Sequence, residues 1–129
     1  MKYLAVDYGL AHIGLAVSEG LLAEPYGQLD FISNEKLVSD IKKIILTQDI
    51  STVIIGISEG KMAQKTQQFA NQLIDELRIR VELVDETLSS QDAKKKMVEA
   101  NIKLHKRQNQ DHQIAAALIL QDYLDNKII

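Results

Sequence analysis

The segment Tyr3-Leu4-Ala5-Val6-Asp7-Tyr8-Gly9-Leu10-Ala11-His12-Ile13-Gly14-Leu15-Ala16-Val17-Ser18 carries the reading on which the fold turns. Residues 2–7 and 12–18 run apolar or alternate, with β-branched members, and Gly9 lies between them, which is the pattern of a β-hairpin. In the second half the period-two split is clean. Ile13, Leu15 and Val17 fall on one face, and Gly14, Ala16 and Ser18 on the other. A face of small residues lets a helix or another backbone approach closely. The first half ends in a carboxylate, Asp7, where an uncompensated charge at a buried strand end loses its hydration.

Working outward, residues 21–32 hold a weaker strand interrupted by Pro25 and Gly27, which suits a sheet edge. Ser33 or Asn34 can cap a helix whose apolar residues Leu37, Ile41, Ile44 and Ile45 recur at i, i+4, i+7 and i+8. Residues 51–57 form a continuous β-branched run, as expected of a strand covered on both faces. After Gly60 a second amphipathic helix aligns Thr66, Phe69, Leu73 and Leu77 on one stripe. Residues 80–84 make a further short strand ending at Asp85-Glu86. A third helix is expected from Ser89 or Ser90, then a polar, basic segment, then a last helix over about 112–125. The order β-β-β-α-β-α-β-α-α predicts an α/β fold, a mixed sheet covered by helices.

At 129 residues the chain is expected to form one domain spanning 1–129, long enough for a real core. It has no cysteine, so it has neither a disulfide framework nor a thiolate metal site. The start is charged too soon for a signal peptide, and no apolar run approaches the ~20 residues that span a bilayer. These features read as a cytoplasmic protein with no membrane partner. Net charge is −3, yet Lys94, Lys95, Lys96, Lys103, Lys106 and Arg107 face only Glu99 within their segment. That segment therefore stands at +5 and the remainder of the chain at −8. Such asymmetry can set a basic surface beside an acidic cluster, as a binder of phosphate backbones needs. The plainer reading of the lysines is a solvated helix face.

Three positions invite chemistry: Asp7, Glu86, and Asp111 or His112 just before the helical run Ile114–Leu120. Two or three converging carboxylates invite a divalent cation, and ions of the magnesium class prefer carboxylate and water oxygens. A metal on a strand-built acidic cluster suggests phosphodiester chemistry. Each residue also has a plainer explanation. Asp7 can bond nearby turn amides, Glu86 can be a loop acid, Asp111 suits a helix N-terminus, and Ser89 and Ser90 suit N-caps.

Four elements in order carry a resemblance over nearly the whole chain: Asp7-Tyr8-Gly9 with Ile13-Gly14-x-Ala16; Ile54-Ile55-Gly56 followed by Gly60; Asp85-Glu86-x-Leu88-Ser89; and Ala115-Ala116-x-x-Ile119-Leu120-x-x-Tyr123-Leu124. Together they resemble the YqgF/RuvX family, ribonuclease H-like proteins labelled pre-16S rRNA nucleases or Holliday junction resolvases. The Asp-x-Gly element alone also opens actin-like ATPase folds, but that architecture uses two such domains and this chain supplies one. The resemblance implies a ribonuclease H-like, five-stranded mixed sheet, its first three strands antiparallel, flanked by helices on both sides. It further implies a bacterial cytoplasmic nuclease that uses Mg²⁺ or Mn²⁺ on pre-rRNA or branched DNA, as a monomer or homodimer.

The family's metal-binding acids fall on Asp7 and Glu86. Its third acid stands three residues before the Ala-Ala pair, which here is His112, with Asp111 one residue earlier. One residue is ~100° around a helix, so the two side chains aim differently. Asp111 is the choice, with His112 as its alternate. Phosphate contacts are expected from Gly9, His12, Ser89, Lys94, Lys95, Lys103, Lys106 and Arg107. The chain departs from the family at His12 and Thr87, where arginines are usual, and at Ile57-Ser58, where a proline is common. Arginine offers a permanent, bidentate fork that His and Thr do not reproduce. An alternative reading is therefore a nucleic-acid-binding or ribosome-maturation factor of the same fold with little catalysis.

Overall fold

Strands β1 (Tyr3–Asp7) and β2 (His12–Ser18) form the expected antiparallel hairpin, registered from Tyr3 opposite Ser18 to Asp7 opposite Gly14. The structure is a computed structural model and describes residues 1–9, 11–57, 60–85 and 111–127, the side chains of Asp111 and Lys127 excepted. Strand β3 (Glu24–Asp30) adds antiparallel to β2 at one edge, as the Pro25 and Gly27 interruptions predict. On the other side of β1 lie β4 (Thr52–Ile57) and then β5 (Arg80–Asp85), both parallel to it. The sheet order is β3-β2-β1-β4-β5, the five-stranded mixed sheet anticipated from the sequence. The helix expected from Ser89 or Ser90, and the basic segment after it, lie outside the described residues.

Helix α1 (Asn34–Gln48) starts at Ser33, whose hydroxyl accepts the Lys36 amide at 3.1 Å and so satisfies one otherwise unpaired N–H. Its buried residues Leu37, Val38 and Ile41 and those of α2 (Lys61–Leu77), namely Phe69, Ala70 and Leu73, pack on one sheet face. There they meet Leu4, Val6, Ile13, Leu15, Val53 and Ile55. Helix α3 (Asp111–Lys127) covers the opposite face, where Ala116, Ala117, Ile119, Leu120 and Leu124 meet Tyr3, Ala5, Ala16 and Ile54. Strands β1 and β4 are apolar on both sides because both sides are covered.

Phe69 is wholly buried and stacks on Tyr8 with ring centres 4.9 Å apart. Phe69→Ala is expected to cost about 3–5 kcal/mol in a urea melt, through lost burial and the cavity left behind.

The small face of β2 has a definite use. A Cβ on Gly14 would lie 1.8 Å from the carbonyl oxygen of His112, so the first turn of α3 rests directly on bare backbone. Further along, the Gln121 side chain accepts the Ala23 amide at 2.9 Å and donates to the Leu21 carbonyl at 3.2 Å, fastening α3 to the β2–β3 connection. The Tyr123 hydroxyl donates to the Glu82 carboxylate on β5. Burial and then that carboxylate push the Tyr123 phenol up to about 12, so the donor keeps its proton at neutral pH.

Candidate active site

Alternation along β1 decides where Asp7 points. Leu4 and Val6 belong to the α1/α2 side and Tyr3 and Ala5 to the α3 side, so Asp7, next in period two, faces α3 and is half-buried. Tyr8 turns back into the other layer. It is buried against Phe69 and edge-on to Phe31, and its hydroxyl donates to Asn34 Oδ1 at 2.9 Å. Burial raises its pKa, which keeps the phenol neutral and the anchor intact. The Asp7 carboxylate thus sits on a strand end clamped one residue later. Gly9 keeps a negative-φ backbone, so the requirement there is room: a Cβ would come 2.7 Å from the His12 carbonyl oxygen.

The C-terminal ends of β1, β4 and β5 share one edge of the sheet, the end at which open α/β sheets present their sites. Val6 pairs with Ile55, and Ile55 with Leu83. With strands ~4.8 Å apart, the tips of β1 and β5 stand roughly 10 Å apart. On β5, Val81 belongs to the α1/α2 layer, whereas Val84 packs into the α3 layer and Glu82 bonds Tyr123 of α3. Alternation therefore turns Asp85 away from the Asp7 face. Glu86, the next residue in the chain, lies outside the described residues, as do Thr87, Ser89, Lys94, Lys95, Lys103, Lys106 and Arg107.

The N-terminal turn of α3 completes the described part of this end. The helix is described from Asp111, so Asp111 and His112 both lie in the N-terminal turn of its described part, in agreement with the helix expected over about 112–125. The His112 ring lies 5.2 Å from the His12 ring, centre to centre, tilted by 42°. His12 Nδ1 in turn is 3.1 Å from Asp30 Oδ1, its directly opposed partner on β3. Both members of that pair are substantially exposed, at 45% and 82%, so it is weak as a source of stability. In the adjacent row Asp7, Gly14 and Gln28 stand side by side across β1, β2 and β3. Gln28 Oε1 is buried with no hydrogen-bond partner among the described residues.

Asp30 and Gln28 did not emerge from the sequence as site residues. Their placement depends on a register shift opposite Leu15 and Ala16, which pair with Gly27 and Pro25 and leave Tyr26 as the extra residue. Pro25 and Gly27, which flank the extra residue, are the sequence signal of such a shift, but they do not by themselves give the register that follows. The structure thus brings Asp7, Gly9, His12 and His112 to one end of the molecule.

A hard divalent cation fits the donors present there: Asp7 supplies an anionic oxygen, half-buried and held on a rigid strand. Among the described residues no group of three or more His, Asp or Glu forms a complete ligand set.

Comparison with solved structures defines the class first. The chain matches a Thermus thermophilus RuvC in complex with a Holliday junction substrate, with a TM-score of 0.71 at 13% identity, covering 99% of this chain and 96% of that one. It matches the fowlpox virus resolvase in complex with Holliday junction DNA, with a TM-score of 0.68 at 11% identity over 100% of both chains. At such low identity these likenesses establish the fold, the ribonuclease H-like fold of the RuvC resolvases.

Sequence relationships narrow the class to a family. A family model described as "RuvX: Holliday junction resolvase" matches residues 1–126. A protein of Natranaerobius thermophilus named "Putative pre-16S rRNA nuclease" is 34% identical, covering 99% of this chain and 96% of its own length. One of the same name from Dictyoglomus thermophilum is 31% identical over 98% and 96%. The chain belongs to the RuvX family.

Proposed function

We propose that this chain is a single-domain, divalent-metal-dependent nuclease of the cytoplasm that hydrolyses phosphodiester bonds in nucleic acid, with precursor 16S rRNA or branched DNA as substrate. The observation that carries the reading is the placement of Asp7: a carboxylate on the tip of a central strand, clamped by Tyr8, facing the first turn of α3. In this reading Asp7, Glu86 and Asp111, with His112 as alternate, hold Mg²⁺ or Mn²⁺. Glu86 directly follows β5, which ends at Asp85, in the chain. When bound, the metal supplies a polarised water and charge stabilisation at the leaving oxygen. The protein's part is to fix the ligands on strand ends, to offer the positive end of the α3 dipole to phosphate, and to hold the backbone through Gly9, His12 and Ser89.

Lys94, Lys95, Lys103, Lys106 and Arg107 bind phosphates without reading sequence in this scheme. Binding should therefore weaken steeply with salt. Replacing Lys103, Lys106 and Arg107 by alanine is expected to lower the slope of log K against log salt by about 2–3, at ~0.7–0.9 per lost phosphate contact. Fluorescence anisotropy from 50 to 300 mM KCl checks this, and an unchanged slope would remove the segment from the interface.

The decisive assay incubates the protein with end-labelled precursor rRNA, single-stranded RNA and four-way junction DNA in Mg²⁺, Mn²⁺ or EDTA. Cleavage that requires metal establishes the enzyme and identifies the substrate. Salt-sensitive binding without cleavage selects the second reading, a maturation factor that binds nucleic acid. One observation favours that second reading: His12 replaces the usual arginine and already engages the Asp30 carboxylate.

A further inference from the structure

We infer that His12 and His112 form a two-imidazole site for a first-row transition-metal ion of the Co²⁺, Ni²⁺ or Zn²⁺ class, with Asp30 as the carboxylate that orients His12. Imidazole nitrogen prefers such ions, whereas magnesium-class ions prefer oxygen. Two imidazoles on one ion, with metal–nitrogen bonds of about 2.0–2.1 Å and bond angles of about 90–110°, hold their ring centres roughly 4.5–5.3 Å apart. The rings of His12 and His112 are 5.2 Å apart, centre to centre, within that range.

Three further features support the pair. The backbone beneath His112 cannot drift, because its carbonyl is seated on Gly14. His12 sits on the facing strand and is exposed enough for an ion to reach it. Its Nδ1 lies 3.1 Å from Asp30 Oδ1, and among the described residues Nε2 has no hydrogen bond. A carboxylate that accepts the second ring N–H of a ligating histidine fixes the tautomer and raises the basicity of the donor nitrogen. Among the described residues no third His, Asp or Glu completes a ligand group with the pair.

This inference rests on the nuclease reading, takes its catalytic meaning from it, and gives His12 to the metal ion in place of phosphate. Metal binding itself is measured without nucleic acid, so either can fail alone. Untagged, EDTA-stripped protein is titrated with Co²⁺, following visible d–d absorption and calorimetric heat, beside Mg²⁺ as the oxygen-preferring reference. The expected result is one Co²⁺ per chain, bound more tightly than Mg²⁺. His12→Gln and His112→Gln should each weaken Co²⁺ at least about tenfold, and Asp30→Asn about tenfold by loss of the orienting carboxylate. Circular dichroism of each variant guards against misfolding, and His12→Gln, altering an exposed side chain, keeps the test open if His112→Gln folds poorly. Equal Co²⁺ affinity in wild type and His12→Gln overturns the inference. So does loss of binding only on His105→Gln, the remaining histidine of the chain, or an affinity for Mg²⁺ matching that for Co²⁺.

Discussion

Asp7→Asn is expected to lower metal-dependent cleavage about a thousandfold or more while leaving the fold intact. The two side chains have nearly the same shape, so the exchange removes the anionic charge and little else. A thousandfold loss corresponds to about 4 kcal/mol of transition-state stabilisation. Single-turnover cleavage in Mg²⁺ measures it, and a thermal melt of the same protein separates it from unfolding. The melt should stay cooperative, since the near-isosteric exchange leaves the strand and its packing in place. A variant that cleaves at the wild-type rate would exclude Asp7 as a metal ligand, and with it the proposed arrangement.

The second large effect is structural. Gly14→Ala places a methyl group 1.8 Å from the His112 carbonyl oxygen, far inside contact distance, and both partners are backbone rather than pliable side chains. Helix α3 must then lift from β2, which opens the layer formed by Ala16, Ala116, Ala117 and Leu120. Overpacking commonly costs 1–3 kcal/mol, and with rigid backbone on both sides a loss of about 3 kcal/mol is expected. That corresponds to a drop of roughly 10 °C in Tm for a domain of this size. Because Asp111 and His112 lie in the displaced turn, activity should fall along with stability. Glycine is irreplaceable here for space alone, since Gly14 has no positive φ. A Gly14→Ala protein with a wild-type melting curve would contradict the close packing of α3 on the sheet.

Much of the architecture is written in local pattern. Period-two alternation at Ile13, Leu15 and Val17 set the strand faces, and the i, i+4, i+7 spacing at Leu37, Ile41 and Ile44 set the first helix. The β-branched run at 51–57 marked a strand covered on both sides. These patterns are legible because each residue reports its own environment through solvent exclusion, independently of distant pairings. The small face of Gly14 and Ala16 even announced a close approach. Asp7 was legible as a site candidate because a carboxylate closing an apolar run needs an explanation.

The sequence by itself thus determined the elements among the described residues, their order, and the strand end that carries Asp7. Tertiary structure alone decided which residues join it. The register shift at Tyr26 sets Asp30 opposite His12 and Gln28 opposite Gly14, and the seating of α3 brings the His112 ring beside that of His12. Alternation along β5 turns Asp85 away from this face, although in the sequence it stands closer to the family's acidic position than any other acid described on that strand. The physical reason is one of range. Propensity and amphipathic period act over a few residues, whereas side-chain convergence depends on strand register and helix seating, which summed packing across the whole sheet selects.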